Sequence, residues 1–121
     1  MSIIENRTTY LFTELSAPYS FPVVFSMIEQ VAKICQDANL NKVLADARAF
    51  TEHISTFDRY RIGVEIAKVF GSHTQIAIVL RPSEITYVGE NTAINRRAKL
   101  KVFSIIEEAQ QWLGISESTT G

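Results

Sequence analysis

Lys42-Val43-Leu44-Ala45-Asp46 and Gln75-Ile76-Ala77-Ile78-Val79-Leu80 flank one long helical pattern, and this stretch decides the fold. Both runs are short and nearly all apolar, as expected of strands covered on two faces, the usual state of strands in a parallel sheet. Between them, Ser55-Thr56-Phe57-Asp58 matches a capping box, in which a hydroxyl and a carboxylate three positions later each bind the other's backbone N–H. The helix it opens is predicted to reach Phe70 and to stop at Gly71. Asp58, Arg61, Glu65 and Lys68 fall on one narrow polar stripe. Phe57, Ile62, Val64, Ile66, Ala67, Val69 and Phe70 cover the rest, so the helix is expected to be largely buried. Gly63 in its middle costs about 1 kcal/mol against alanine, which marks a place where another backbone is expected to come close.

Working outward, Thr8 to Leu15 is rich in β-branched and aromatic residues and reads as a strand, with Ser2 to Glu5 as a short partner turned at Asn6. Val24, Phe25, Ile28, Val31, Ala32 and Cys35 recur at steps of three and four, giving a helix that starts at Ser20, holds Pro22 in its first turn and stops at Asn39. Cys35 lies on the apolar stripe and reads as a small core residue. Downstream, Arg81-Pro82 cuts off the strand, and Gly89 to Ala98 reads as a helix with Ala93, Ile94 and Ala98 inward. Leu100 to Phe103 is another strand. Ser104-Ile105-Ile106-Glu107 is a second capping box, opening a helix that ends at Gly114. Strict alternation after the hairpin implies right-handed crossovers. The predicted fold is α/β: a mixed, mostly parallel sheet of four to five strands with helices packed on it. Residues 1–115 form one domain on this reading, and 116–121, small and polar, form a disordered tail.

Twelve Lys and Arg against thirteen Asp and Glu give the 121-residue chain a net charge of −1, which argues against a domain held on nucleic acid or an anionic membrane by bulk charge. One cysteine allows no internal disulfide, and two histidines with no cysteine cluster make no zinc site. No apolar run approaches the ~20 residues of a membrane span, and no basic segment leading into an apolar one marks a signal peptide. A cytoplasmic setting is expected. Phosphate-cradling glycine loops and nucleophile motifs are both missing from the sequence, so the expectation is a protein with no enzymatic activity, cofactor or metal.

Val43 to Arg48, the helix Phe57 to Phe70 with Gly63, and the strand Gln75 to Leu80 are followed by Asn91-Thr92-Ala93-Ile94-Asn95-Arg96-Arg97-Ala98, Leu100-Lys101-Val102-Phe103 and Glu107-Glu108-Ala109-Gln110-Gln111-Trp112-Leu113. In this order the chain resembles the SpoIIAA-like proteins and their STAS (sulfate transporter and anti-sigma-factor antagonist) relatives, closest to the STAS/SEC14-like subset. The resemblance runs from about Thr8 to Leu113. It implies a mixed sheet with helices against it and a small regulatory or protein-binding module. Antagonists of that family are switched by phosphorylation of a serine at the start of the helix after a central strand, in a pattern close to Asp-Ser-Ser-Gly. This chain has Ile54-Ser55-Thr56-Phe57 there, which makes Ser55 the candidate phosphoacceptor. It also has Asn95-Arg96-Arg97-Ala98 where the family commonly has Asn-Arg-Gly-Ala.

Ligands of parallel α/β sheets bind beyond the carboxyl ends of the strands, which gathers Asp46, Arg48, Ser55, Thr56, Arg81 and Ser104 at one edge. Two guanidinium groups near two helix N-termini would favour an anion there. The plainer reading makes the serines helix caps and the arginines solvated. Arg96, Arg97, Lys99 and Lys101 form a basic run that reads as a wet face, with Arg96 as a further candidate contact. Phe21, Val23, Met27, Ile34 and Phe57 widen the apolar helix faces, by a well-covered core, a homodimer surface or a groove for an apolar ligand. Two functions follow: a STAS-type protein-interaction module acting through the helix start at Ser55, or a carrier of a small apolar or anionic ligand, a lipid among them.

Overall fold

The computed structural model describes residues 3–115. The predicted tail and Ser2 lie outside them. Five strands and four helices follow in order: β1 (Ile3–Asn6), β2 (Leu11–Glu14), α1 (Phe21–Ala38), β3 (Lys42–Asp46), α2 (Thr56–Phe70), β4 (Gln75–Val79), α3 (Val88–Asn95), β5 (Lys99–Phe103) and α4 (Ile106–Leu113), with a 3-10 turn at Pro82–Glu84. The fold is α/β, and the sheet order β1-β2-β3-β4-β5 is also the chain order. Among the described residues, only β1 against β2 is antiparallel.

Alternation along the strands separates two cores. Leu11, Val43, Ile76 and Leu100 face one side and pack with Val31, Cys35, Ile66 and Phe70 of α1 and α2. Leu44, Ala77, Val79 and Phe103 face the other side and pack with Ala109 and Leu113 of α4. Three parallel crossovers that advance in one direction with one hand put their helices on one face, which leaves the opposite face to α4.

The stops are where the sequence puts them. Asn39 takes a left-handed conformation (φ 58°) after α1, and Gly114 does so (φ 70°) after α4. Cys35 is buried, and burial pushes its thiol up to about 11. Gly63 has the expected neighbour: a Cβ there would stand 2.6 Å from the carbonyl oxygen of Gly89, so α2 and α3 touch backbone to backbone. The edge strand β5 is tied to α3 as well, for the Val102 N–H donates to Glu90 Oε1 at 2.7 Å.

Three local readings are corrected. The β1–β2 turn spans more residues than Asn6, because Thr8 sits at φ 74° with its N–H on Asn6 Oδ1, so β2 begins at Leu11. Ser104 does not cap α4; Ile105 is the extended residue before that helix. The third helix starts at Val88, after Tyr87 in a left-handed conformation, and ends at Asn95. Ile94, expected to face inward, is 47% exposed, while Ala93 stays buried. No helix among the described residues is long and apolar enough to cross a membrane.

Candidate functional site

Asp46 is the last residue of β3 and lies two residues beyond Leu44, so it projects on the same face, toward α4. Arg48, two residues on, folds back onto it. Nε and Nη2 donate to the two carboxylate oxygens at 2.9 and 2.7 Å, and the Arg48 N–H adds a third bond at 3.1 Å. Burial alone would raise the Asp46 carboxyl, but these bonds and the guanidinium charge outweigh it and hold the group below its ordinary value. Arg81 begins the 3-10 turn after β4 and crosses to the preceding loop, donating to the carbonyls of Phe50 and Thr51, both at 3.1 Å. The three side chains do lie at the carboxyl edge of the sheet. Both guanidinium groups, however, are engaged by the chain itself rather than held out toward a ligand.

Ser55 is the N-cap of α2, and its Oγ accepts from the Asp58 N–H at 3.1 Å. The second half of the box is replaced. Asp58 accepts instead from Tyr19 Oη (2.9 Å) and Arg61 Nη2 (2.7 Å). The bond from Arg61 is the chief cause of a carboxyl held below its usual range. Burial first, and then the bond to Asp58, push the Tyr19 phenol up. Thr56 is the first residue of α2 and is exposed. Arg96 stands apart from Asp46 and Arg48, on the outer α2–α3 surface, with its guanidinium 5.6 Å from the Tyr60 ring centroid and bonded to the Thr92 carbonyl.

Sequence reasoning missed Arg59 and Glu84. Both are buried, at 7% and 8% exposure. Arg59 Nη2 meets Glu84 Oε1 at 2.8 Å, Nη1 donates to the Glu84 carbonyl at 2.7 Å, and Nε donates to the Ile54 carbonyl at 2.9 Å. The pair clamps the start of α2 to the 3-10 turn, and His53 Nδ1 lies 3.6 Å from the same carboxylate oxygen. A signal was present, because Arg59 shares a helical face with Gly63, Ile66 and Phe70 and so faces the core. Beside this clamp, under α2 and α3, lies an apolar cavity of about 90 Å³. A second, of about 70 Å³, lies between α1, α2 and the sheet, and Leu15, Val24, Ile62, Ile66 and Ile78 border both.

On the outer surface the first turns of α1 and α2 form an aromatic strip. The Arg61 guanidinium lies 3.7 Å from the Phe21 ring centroid and 4.7 Å from that of Phe57. Phe21 in turn packs on Phe25. The sequence places Phe57 among the covered positions of α2; it is in fact 64% exposed. It stands in the first turn of α2, with the Arg61 guanidinium near both its ring and that of Phe21. Comparison with protein-family models and with curated proteins gives no match. Among the described residues no group of three or more His, Cys, Asp or Glu is placed to hold a metal ion.

Proposed function

We propose that this chain is a non-enzymatic, SpoIIAA/STAS-type protein-interaction module whose contact surface is the start of α1 and α2. The observation that carries this reading is the strip Phe21–Arg61–Phe57, in which half-buried Phe21 and Arg61 support an exposed Phe57, with the exposed Tyr60 and Arg96 beside it. Aromatic residues and arginine are the types enriched at the centres of protein interfaces and among the side chains that dominate binding energy. Rings held by a stacked guanidinium lose little conformational freedom on binding, which favours such a use. The charges at the strand ends support a binding rather than a catalytic role, since Asp46, Arg48, Arg59, Arg81 and Glu84 are spent on one another or on backbone carbonyls. A phosphate on Ser55 would meet the positive end of α2 and lie beside Asp58, so it would alter the charge of the strip's margin.

The test is affinity capture with the wild-type chain, Phe57→Asp and Ser55→Asp as bait, followed by quantitative mass spectrometry. A partner held by the wild type is expected to fall at least about tenfold with Phe57→Asp, the loss of one interface anchor, and to change with Ser55→Asp. Identical capture by wild type and Phe57→Asp would refute the surface. A second copy of the chain is the occupant if sedimentation shows a dimer that Phe57→Asp dissociates.

A further inference from the structure

Beyond the interaction surface, we propose that the cavity beneath α2 and α3 is a binding site for a small uncharged apolar molecule, about the size of one aromatic ring. Ile54, Ile62, Ile78, Leu80, Leu100 and Val102 supply its walls. The polar groups at its border are already satisfied from within. Arg59 is bonded to Glu84 and to the Ile54 carbonyl, and Glu90 accepts from the Val102 N–H. A charged ligand would thus lose its hydration for no partner, whereas an apolar one loses nothing. Size sets the limit: the volume of about 90 Å³ is below the ~150 Å³ of an engineered apolar cavity in another protein that stays dry and takes up benzene or xenon, so the site takes at most a single ring.

The site has an entrance. Thr86 and Tyr87 line the cavity and are both exposed, Tyr87 to 52%. Tyr87 also holds φ 65°, a conformation unusual for a bulky residue. It immediately precedes α3, whose Gly89 lies against Gly63 of α2. The inner wall is the sheet, through Ile78, Leu100 and Val102.

Benzene titrated into the wild-type protein, followed by carbon-13 methyl NMR, tests this directly. Saturable shifts are expected for the methyls of Ile54, Ile62, Ile78, Leu80, Leu100 and Val102, with Leu44 and Leu113 on the α4 face silent. Val102→Phe, which places a ring inside the cavity, is expected to weaken the binding at least tenfold. No saturable shift up to the solubility limit of benzene would overturn the proposal. So would shifts of equal size at Leu44 and Leu113. Because the wild-type titration is decisive without the variant, a poorly folded Val102→Phe leaves the result standing. Neither outcome bears on capture through Phe57.

Discussion

Replacing Arg59 by leucine is expected to be the most damaging single change at the carboxyl edge of the sheet. The substitution keeps most of the buried apolar stem but removes three donors, at 2.9, 2.7 and 2.8 Å from their acceptors. Glu84 is then left as a buried carboxylate, and the carbonyls of Ile54 and Glu84 lose their partners. Breaking a buried pair from one side costs about 3–5 kcal/mol. Orphaned acceptors cost about 1–3 kcal/mol each where water cannot reach them. The middle of the range for a pair broken from one side, about 4 kcal/mol, is the expected loss. Against a total stability of about 5–15 kcal/mol for a domain, that removes a large fraction. Urea unfolding followed by circular dichroism at pH 7 measures it. The double variant Arg59→Leu, Glu84→Leu should be more stable than the sum of the single effects by about 1–3 kcal/mol, because neither charge is then stranded. A loss below about 1 kcal/mol in Arg59→Leu, or strict additivity in the double variant, would refute the assignment of this pair as the clamp.

Glu65, 4% exposed, has one carboxylate oxygen without a hydrogen-bond partner; burial first, then a hydrogen bond with Glu29, disfavours its ionised form and pushes the carboxyl above its ordinary value. A raised carboxyl stabilises the fold below its unfolded value, and that contribution is lost as pH climbs through the folded value; Glu65→Gln should therefore flatten the thermal-melt profile there and stabilise the protein at pH 7. Asp46 has the opposite sign: its contribution is present above the unfolded value and lost as pH falls through the lower folded one, so Asp46→Asn should cost about 1 kcal/mol at neutral pH and nothing in strong acid, by the same melts. Gly63→Ala gains about 1 kcal/mol of helix propensity, but its Cβ must displace the Gly89 backbone at 2.6 Å, so a net loss of about 1–3 kcal/mol is expected in urea unfolding.

The order of elements was legible because each carries its own signal. Val43 to Ala45 and Ile76 to Val79 are apolar beyond what one covered face requires, and Asn39, Gly71 and Gly114 mark the stops. Ser55 was legible as a cap for the same local reason. What was hidden depends on partners far along the chain. The box of Ser55 and Asp58 fails in its second half because Tyr19, 39 residues away in sequence, supplies a stronger donor. The stripe of Gly63, Ile66 and Phe70 turns Arg59 inward, but its partner Glu84, 25 residues downstream, is not legible from that spacing. Arg48 and Arg81 were placed correctly at the strand ends, but sequence alone gives no sign that Asp46 and two backbone carbonyls would occupy them. Phe57 was misjudged because helical spacing assigns a face without saying how far the neighbouring helix extends along it.

The bond from Val102 to Glu90 has a bearing on how these molecules meet one another. The β5 margin of a sheet is where a neighbouring chain would dock by adding a strand of its own. Here a carboxylate from the adjacent helix takes the Val102 amide first, while the opposite margin is the four-residue β1. Runaway strand-to-strand stacking is thereby discouraged at one flank.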